Sequence, residues 1–151
     1  MHSRRPALAL VALAAGLAVA SACSPAPRDP VEGLLSELES AAEARDADRV
    51  AARLGDAFHG PGGLGKPEAL ATLRRYFAGY ESIGLELYEI DRQRQDGSAG
   101  VRLKVAFTGT ARRAFGLEGL LPPSALYEFE LEARDEGGTW RVTRASWQEV
   151  K

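Results

Sequence analysis

The chain has 151 residues, with 19 basic and 21 acidic side chains, a formal net charge of −2 and 45% hydrophobic residues. That length suits one domain built around one core, and charges of neither sign run in blocks, which excludes the basic footprint of a nucleic-acid-binding protein. One cysteine and two histidines exclude a disulfide framework and a cysteine–histidine metal constellation.

The amino end carries its own pattern. His2-Ser3-Arg4-Arg5 make a short basic start, Ala7 to Ala20 run 14 residues without charge, and Ala20-Ser21-Ala22-Cys23 follow. These are the parts of a secretory signal, and the run is too short for a spanning helix, which needs about 20 apolar residues. The four residues ending at Cys23 resemble the lipobox of bacterial lipoproteins, with Ser21 and Ala22 as the small residues and Ala20 in place of the usual leucine. The resemblance implies cleavage before Cys23, acylation of that cysteine and attachment to a lipid bilayer. Ser24 after the cysteine implies the periplasmic face of the outer membrane. Each buried methylene adds about 0.8 kcal/mol, so two or three acyl chains hold a domain firmly.

Residues 1–22 are therefore expected as a signal peptide and 23–30 as a lipidated tether, extended by Pro25, Pro27 and Pro30. Residues 31–151 are expected as the domain. The processed chain keeps 129 residues, 17 basic and 21 acidic, a net charge of −4. Its lone cysteine carries lipid, leaving no thiol for catalysis or metal.

Val31, Leu34, Leu35, Leu38 and Ala42 recur at helical spacing, with Glu32, Glu37, Glu39 and Glu43 on other faces. Asp46 reads as the N-cap of a short second helix bearing Ala47, Val50, Ala51 and Leu54. Residues 55–66 read as a glycine-rich loop. Pro67 suits the first turn of a third helix with Leu70, Leu73, Phe77 and Tyr80 on one stripe.

From Glu81 the period becomes two. Ile83, Leu85 and Leu87 form one row; Asp96-Gly97 mark a hairpin; Val101, Leu103, Val105 and Phe107 form the next. Tyr127, Phe129 and Leu131 alternate with glutamates, and Asp135 to Gly138 turn the chain into a last strand with Trp140 and Val142. Three helices followed by four antiparallel strands predict an α+β domain whose sheet covers helices with one face.

This order resembles the nuclear transport factor two-like superfamily, which includes SnoaL-like cyclases and ketosteroid isomerases. The likeness rests on "ADRVAARLGDAFHG", "PEALATLRRYFAGY" and the closing hairpin "ALYEFELEARDEGGTWRVTRASW". The resemblance implies a cone, a curved sheet of about four strands wrapped around three helices, often with a pocket at its open end. It also implies pairing of subunits through the outer sheet face in many members.

"GPGGLGK", residues 60–66, spells a phosphate-binding loop, yet Pro67 stands where a Ser or Thr would hold magnesium and the segment before it does not read as a buried strand. No nucleotide, metal or other cofactor is expected. His59, the single histidine after residue 22, lies three residues beyond Asp56. The pair reads either as an acid–base couple at a pocket mouth or as loop polar groups.

Tyr76, Tyr80, Tyr127, Trp140 and Trp147 are candidates for the interior of the cone, as core packing or as ligand contacts. Arg144 shares the parity of Trp140 and would join them, unless a bulge reverses it. The polar series Glu86, Arg102, Lys104, Glu128, Glu130 and Glu132 falls on the opposite face. "AFGLEGLLPP" is an apolar connection that must bury its side chains against the cone, a ligand or a partner.

Three functions fit these observations. One is a non-catalytic envelope lipoprotein that binds a small apolar ligand or a protein. Another is a small-molecule isomerase, dehydratase or cyclase of the SnoaL-like type using Asp56 or His59. The third is a structural subunit that pairs, with itself or another envelope protein, through an apolar outer sheet face.

Overall fold

A computed structural model of the chain describes residues 29–113 and 120–151. The signal peptide, most of the tether with Cys23, and Phe115 and Leu117 of the apolar connection lie outside the described residues. No helix among the described residues is long and apolar enough to cross a membrane.

Helix α1 (Pro30–Glu43) starts where the Asp29 carboxylate accepts the Val31 N–H at 3.0 Å and proline occupies the first turn. Its Val31, Leu34 and Leu35 are buried. Arg45, at φ 55, turns the chain, and α2 (Ala47–Ala52) begins under an Asp46 cap that accepts the Arg49 N–H at 3.0 Å. Strand β1 (Leu54–His59) follows, then a 3-10 turn (Pro61–Gly63) and α3 (Lys66–Ala78).

Four long strands complete the domain: β2 (Tyr80–Gln95), β3 (Ser98–Ala111), β4 (Ser124–Glu136) and β5 (Thr139–Glu149). They make one five-stranded sheet in the order β1-β5-β4-β3-β2. Pairings among β2 to β5 are antiparallel, whereas β1 runs parallel to β5 with Leu54 opposite Val142.

The expected fold class holds, and the sheet gains a fifth strand. The second helix stops at Ala52, and Leu54 belongs to β1, not to that helix. Leu54 and Phe58 lie four apart, a spacing that serves one helix stripe and one strand face equally. Tertiary pairing decides between them: the Val142 N–H donates to the Arg53 carbonyl at 2.8 Å.

Two irregularities re-aim side chains. Between Tyr88 and Asp91 the β2–β3 register shifts, with Glu89 at φ 49. Beyond that bulge Arg92 and Arg94 turn inward, each reaching Asp29 at 3.4 Å, and Arg94 lies 5.2 Å from the Trp140 ring centroid. The sheet thereby ties down the start of α1. In β5, Glu132 faces Arg144 while Ala133 faces Val142, so Thr143 is an extra residue. A one-residue insertion moves every later side chain to the other face.

The core lies between the helices and the concave side of the sheet. Val101, Leu103 and Val105 of β3 and Val142 of β5 meet α1 and Phe58 there. Phe77, Tyr80 and Ile83 form a second cluster with Leu121 and Phe107.

Candidate functional site

The helices do not fill the cone. A cavity of about 420 Å³ remains between α1, α3 and the concave sheet face, within the range of roughly 300–1,000 Å³ usual for small-molecule sites. Leu35, Leu38, Leu85, Leu103 and Val105 supply aliphatic wall, and Phe107, Phe129, Tyr127, Tyr76 and Trp147 supply rings. Tyr76 and Trp147 are 44% and 42% exposed and mark where the cavity meets solvent. Phe129 stands between Tyr127 and Trp147, with ring centroids 6.2 and 5.7 Å away.

Glu39 of α1 is the only charged side chain among the described residues that line this cavity. Burial, with Glu43 one turn later adding to it, holds its carboxyl above the usual carboxylate range. Glu43 is fixed beside it, because its Oε1 accepts the Leu85 N–H of edge strand β2 at 2.9 Å. Glu39 was expected on a face away from the apolar stripe. It falls four residues after Leu35 and three before Ala42, at the border of that stripe, and the border faces the cavity.

The remaining polar side chains of the cavity are the hydroxyls of Thr72 and Tyr76 of α3 and Tyr127 of β4, with the indole of Trp147. Burial, then Tyr76 and Glu149, raise Tyr127 above the ordinary phenol value. Both Tyr76 and Tyr127 also influence Tyr80, which burial and those two phenols push up to about 12. Phenols so placed stay protonated at neutral pH and can donate hydrogen bonds.

Of the candidates read from the sequence, Tyr76, Tyr127 and Trp147 line the cavity. Tyr80 is fully buried beneath it, its hydroxyl donating to the Pro122 carbonyl at 3.0 Å. Trp140 is core under Arg94. The Thr143 bulge turns Arg144 to the convex face. His59 also faces outward, opposite Arg144 in the register. The Asp56 side chain is fully exposed, 3.5 Å from Lys66 Nζ. Asp56 and His59 therefore stand outside the cavity.

His59 and Arg144 instead border an open groove of about 780 Å³ on the convex face, with Asp91, Arg102, Glu130 and Glu132. Charges alternate across the strands there: Arg102 pairs with Glu130 at 2.9 Å, and Lys104 pairs with Glu89. Such exposed pairs contribute little stability, yet they make the face polar. The described residues contain no group of three histidine, cysteine, aspartate or glutamate side chains placed to hold a metal ion.

No protein-family model matches the chain, and no curated protein matches it. Solved structures do. A protein of the nuclear transport factor two-like family assigned as a dehydratase, from Streptomyces avermitilis, superposes with a TM-score of 0.68 at 16% identity, over 81% of this chain and 95% of its own. A protein assigned as a scytalone dehydratase, from Novosphingobium aromaticivorans, gives 0.68 at 12% identity over 81% and 83%. Bdellovibrio bacteriovorus Bd1075 gives 0.66 at 13% identity over 80% of this chain, which spans only 40% of that longer protein. At these identities the likeness establishes the fold: the domain has the nuclear transport factor two-like cone.

Proposed function

We propose that the chain is a small-molecule enzyme of the isomerase, dehydratase or cyclase kind, acting on an apolar substrate inside the cone. The observation that carries this reading is Glu39, a lone carboxylate in an otherwise apolar cavity. Partly withdrawn from water, a carboxylate becomes a stronger base toward carbon-bound protons, and a positioned general base contributes about 10²–10⁴-fold in rate. Tyr76 and Tyr127 supply donors for negative charge developing on a substrate oxygen. The dehydratases that share the fold support this reading over a purely binding role.

The test uses a neutral carbon acid, 5-nitrobenzisoxazole. A base removes its ring C–H proton, the N–O bond breaks, and the electrons end on a phenolate oxygen beside a new nitrile. Saturable ring opening is expected, falling about 10²-fold in Glu39→Gln and unchanged in His59→Ala and Asp56→Asn. A rate that survives Glu39→Gln, or dies with His59→Ala, contradicts the assignment.

We further infer that Cys23 is acylated and tethers the domain to a bacterial membrane. The support is the basic start, the uncharged run Ala7 to Ala20 and Ser21-Ala22 before the cysteine. Labelled palmitate should enter the chain, and Cys23→Ala should move it from the membrane pellet to the soluble fraction. A Cys23→Ala chain that stays in the pellet contradicts the anchor.

A further inference from the structure

Among the described residues that line the cavity, none carries a positive charge to meet the Glu39 carboxylate, and several arginines of the helices and of β2 have other partners. Arg45 donates to the Tyr80 carbonyl at 2.9 Å, and Arg49 pairs with Glu37 at 3.0 Å. Arg74 pairs with Asp48 at 2.7 Å, and Arg92 and Arg94 hold Asp29. The walls around the carboxylate are rings and aliphatic chains. An anionic ligand would be desolvated there beside a like charge, with no cation to meet it. A neutral ligand leaves the carboxylate unmatched. A cationic ligand with an apolar body answers both demands, since ammonium groups are drawn to aromatic faces as well as to carboxylates.

We propose that the cone cavity accepts lipophilic amines, the protonated nitrogen pairing with Glu39 and the hydrocarbon body lying among Tyr127, Phe129 and Trp147. The cavity, at about 420 Å³, admits a molecule of two fused rings. The inference rests on the cavity being the ligand site, and it extends the enzyme reading: an amine that occupies Glu39 removes the base and blocks ring opening of 5-nitrobenzisoxazole competitively.

Three probes of nearly equal shape separate the cases: 1-naphthylmethylamine, 1-naphthylmethanol and 1-naphthoate, titrated calorimetrically into the full chain at neutral pH. The amine is expected to bind at least about tenfold tighter than the alcohol, with the naphthoate weakest. Glu39→Gln should erase the amine's advantage, whereas Glu39→Asp, which keeps the charge, should retain it. Glu130→Gln and Glu132→Gln should leave it unchanged, because both lie on the convex face. Equal binding of amine and alcohol overturns the proposal while leaving a ligand cavity and the enzyme reading intact. Loss of the amine's advantage on Glu130→Gln also overturns it, by placing the amine in the outer groove. Failure of all three probes to bind overturns both the proposal and the cavity as a ligand site.

Discussion

The Tyr80 hydroxyl donates to the Pro122 carbonyl at 3.0 Å across 42 positions of sequence, joining the start of β2 to the connection that precedes β4. The ring is fully buried and meets Phe107 edge-on at 5.3 Å between centroids. The Gly79 carbonyl accepts the Arg112 N–H at 2.8 Å beside it. One side chain thus packs in the second core cluster and holds the loop base. Tyr80→Phe keeps the packing and leaves the carbonyl unpaired, so a loss of about 1–2 kcal/mol is expected. Denaturant titration of both chains checks this, and an unchanged midpoint would show that the contact carries no stability.

Gly109 lies against the same ring. A Cβ built there comes within 2.6 Å of Tyr80 Cε1 and 2.8 Å of Phe107 Cζ. Tyr80 is fully buried, so Gly109→Ala is expected to cost about 1–3 kcal/mol through overpacking against its ring. Thermal unfolding reads this directly; a variant as stable as the parent contradicts the tight approach.

Glu39 predicts a pH signature. Burial first, and Glu43 second, hold its folded carboxyl above the ordinary value of 4.5. Thr72, Tyr76 and Tyr127 also line its cavity, from α3 and β4. The native state therefore binds this proton more tightly than the unfolded chain. Its contribution favours folding below the ordinary carboxylate range and declines as pH rises through the raised folded value. Glu39→Gln should remove that decline, so the variant gains stability relative to the parent as the solution goes from acid to neutral. A difference in Tm that stays constant across that range contradicts a raised Glu39 carboxyl.

Asp29 serves α1 twice, as cap and as partner of Arg92 and Arg94. The arginines are partly exposed, so the cap dominates. Asp29→Ala should cost about 1 kcal/mol, and most of that loss should persist at high salt, which screens the ion pairs. A loss that vanishes in salt would assign the effect to the arginines.

Much of this architecture is legible in the sequence where one period dominates. The stripe from Val31 to Ala42 and the rows Ile83-Leu85-Leu87 and Val101-Leu103-Val105 point where they were expected to point. Tyr76, Tyr127 and Trp147 were likewise placed in the interior. Strand β1 was not legible, because Leu54 and Phe58 fit either period and only Val142 chooses between them. Thr143 and Glu89 alter facing without altering the local pattern, so Arg144 read as interior. Glu39 escaped because a glutamate at the edge of a stripe looks solvated until the opposite wall is known to be sheet.

In the proposed function the cone interior, with Glu39, is the working site. Methyl-resolved NMR of the full chain titrated with 1-naphthylmethylamine tests it most directly. Saturable shifts are expected at Leu87, Leu103 and Val105, reduced in Glu39→Gln, with Leu126, which pairs with Ala106 and alternates with Tyr127 on the outer face of β4, unmoved. Shifts confined to that outer face, or unaffected by Glu39→Gln, would contradict it.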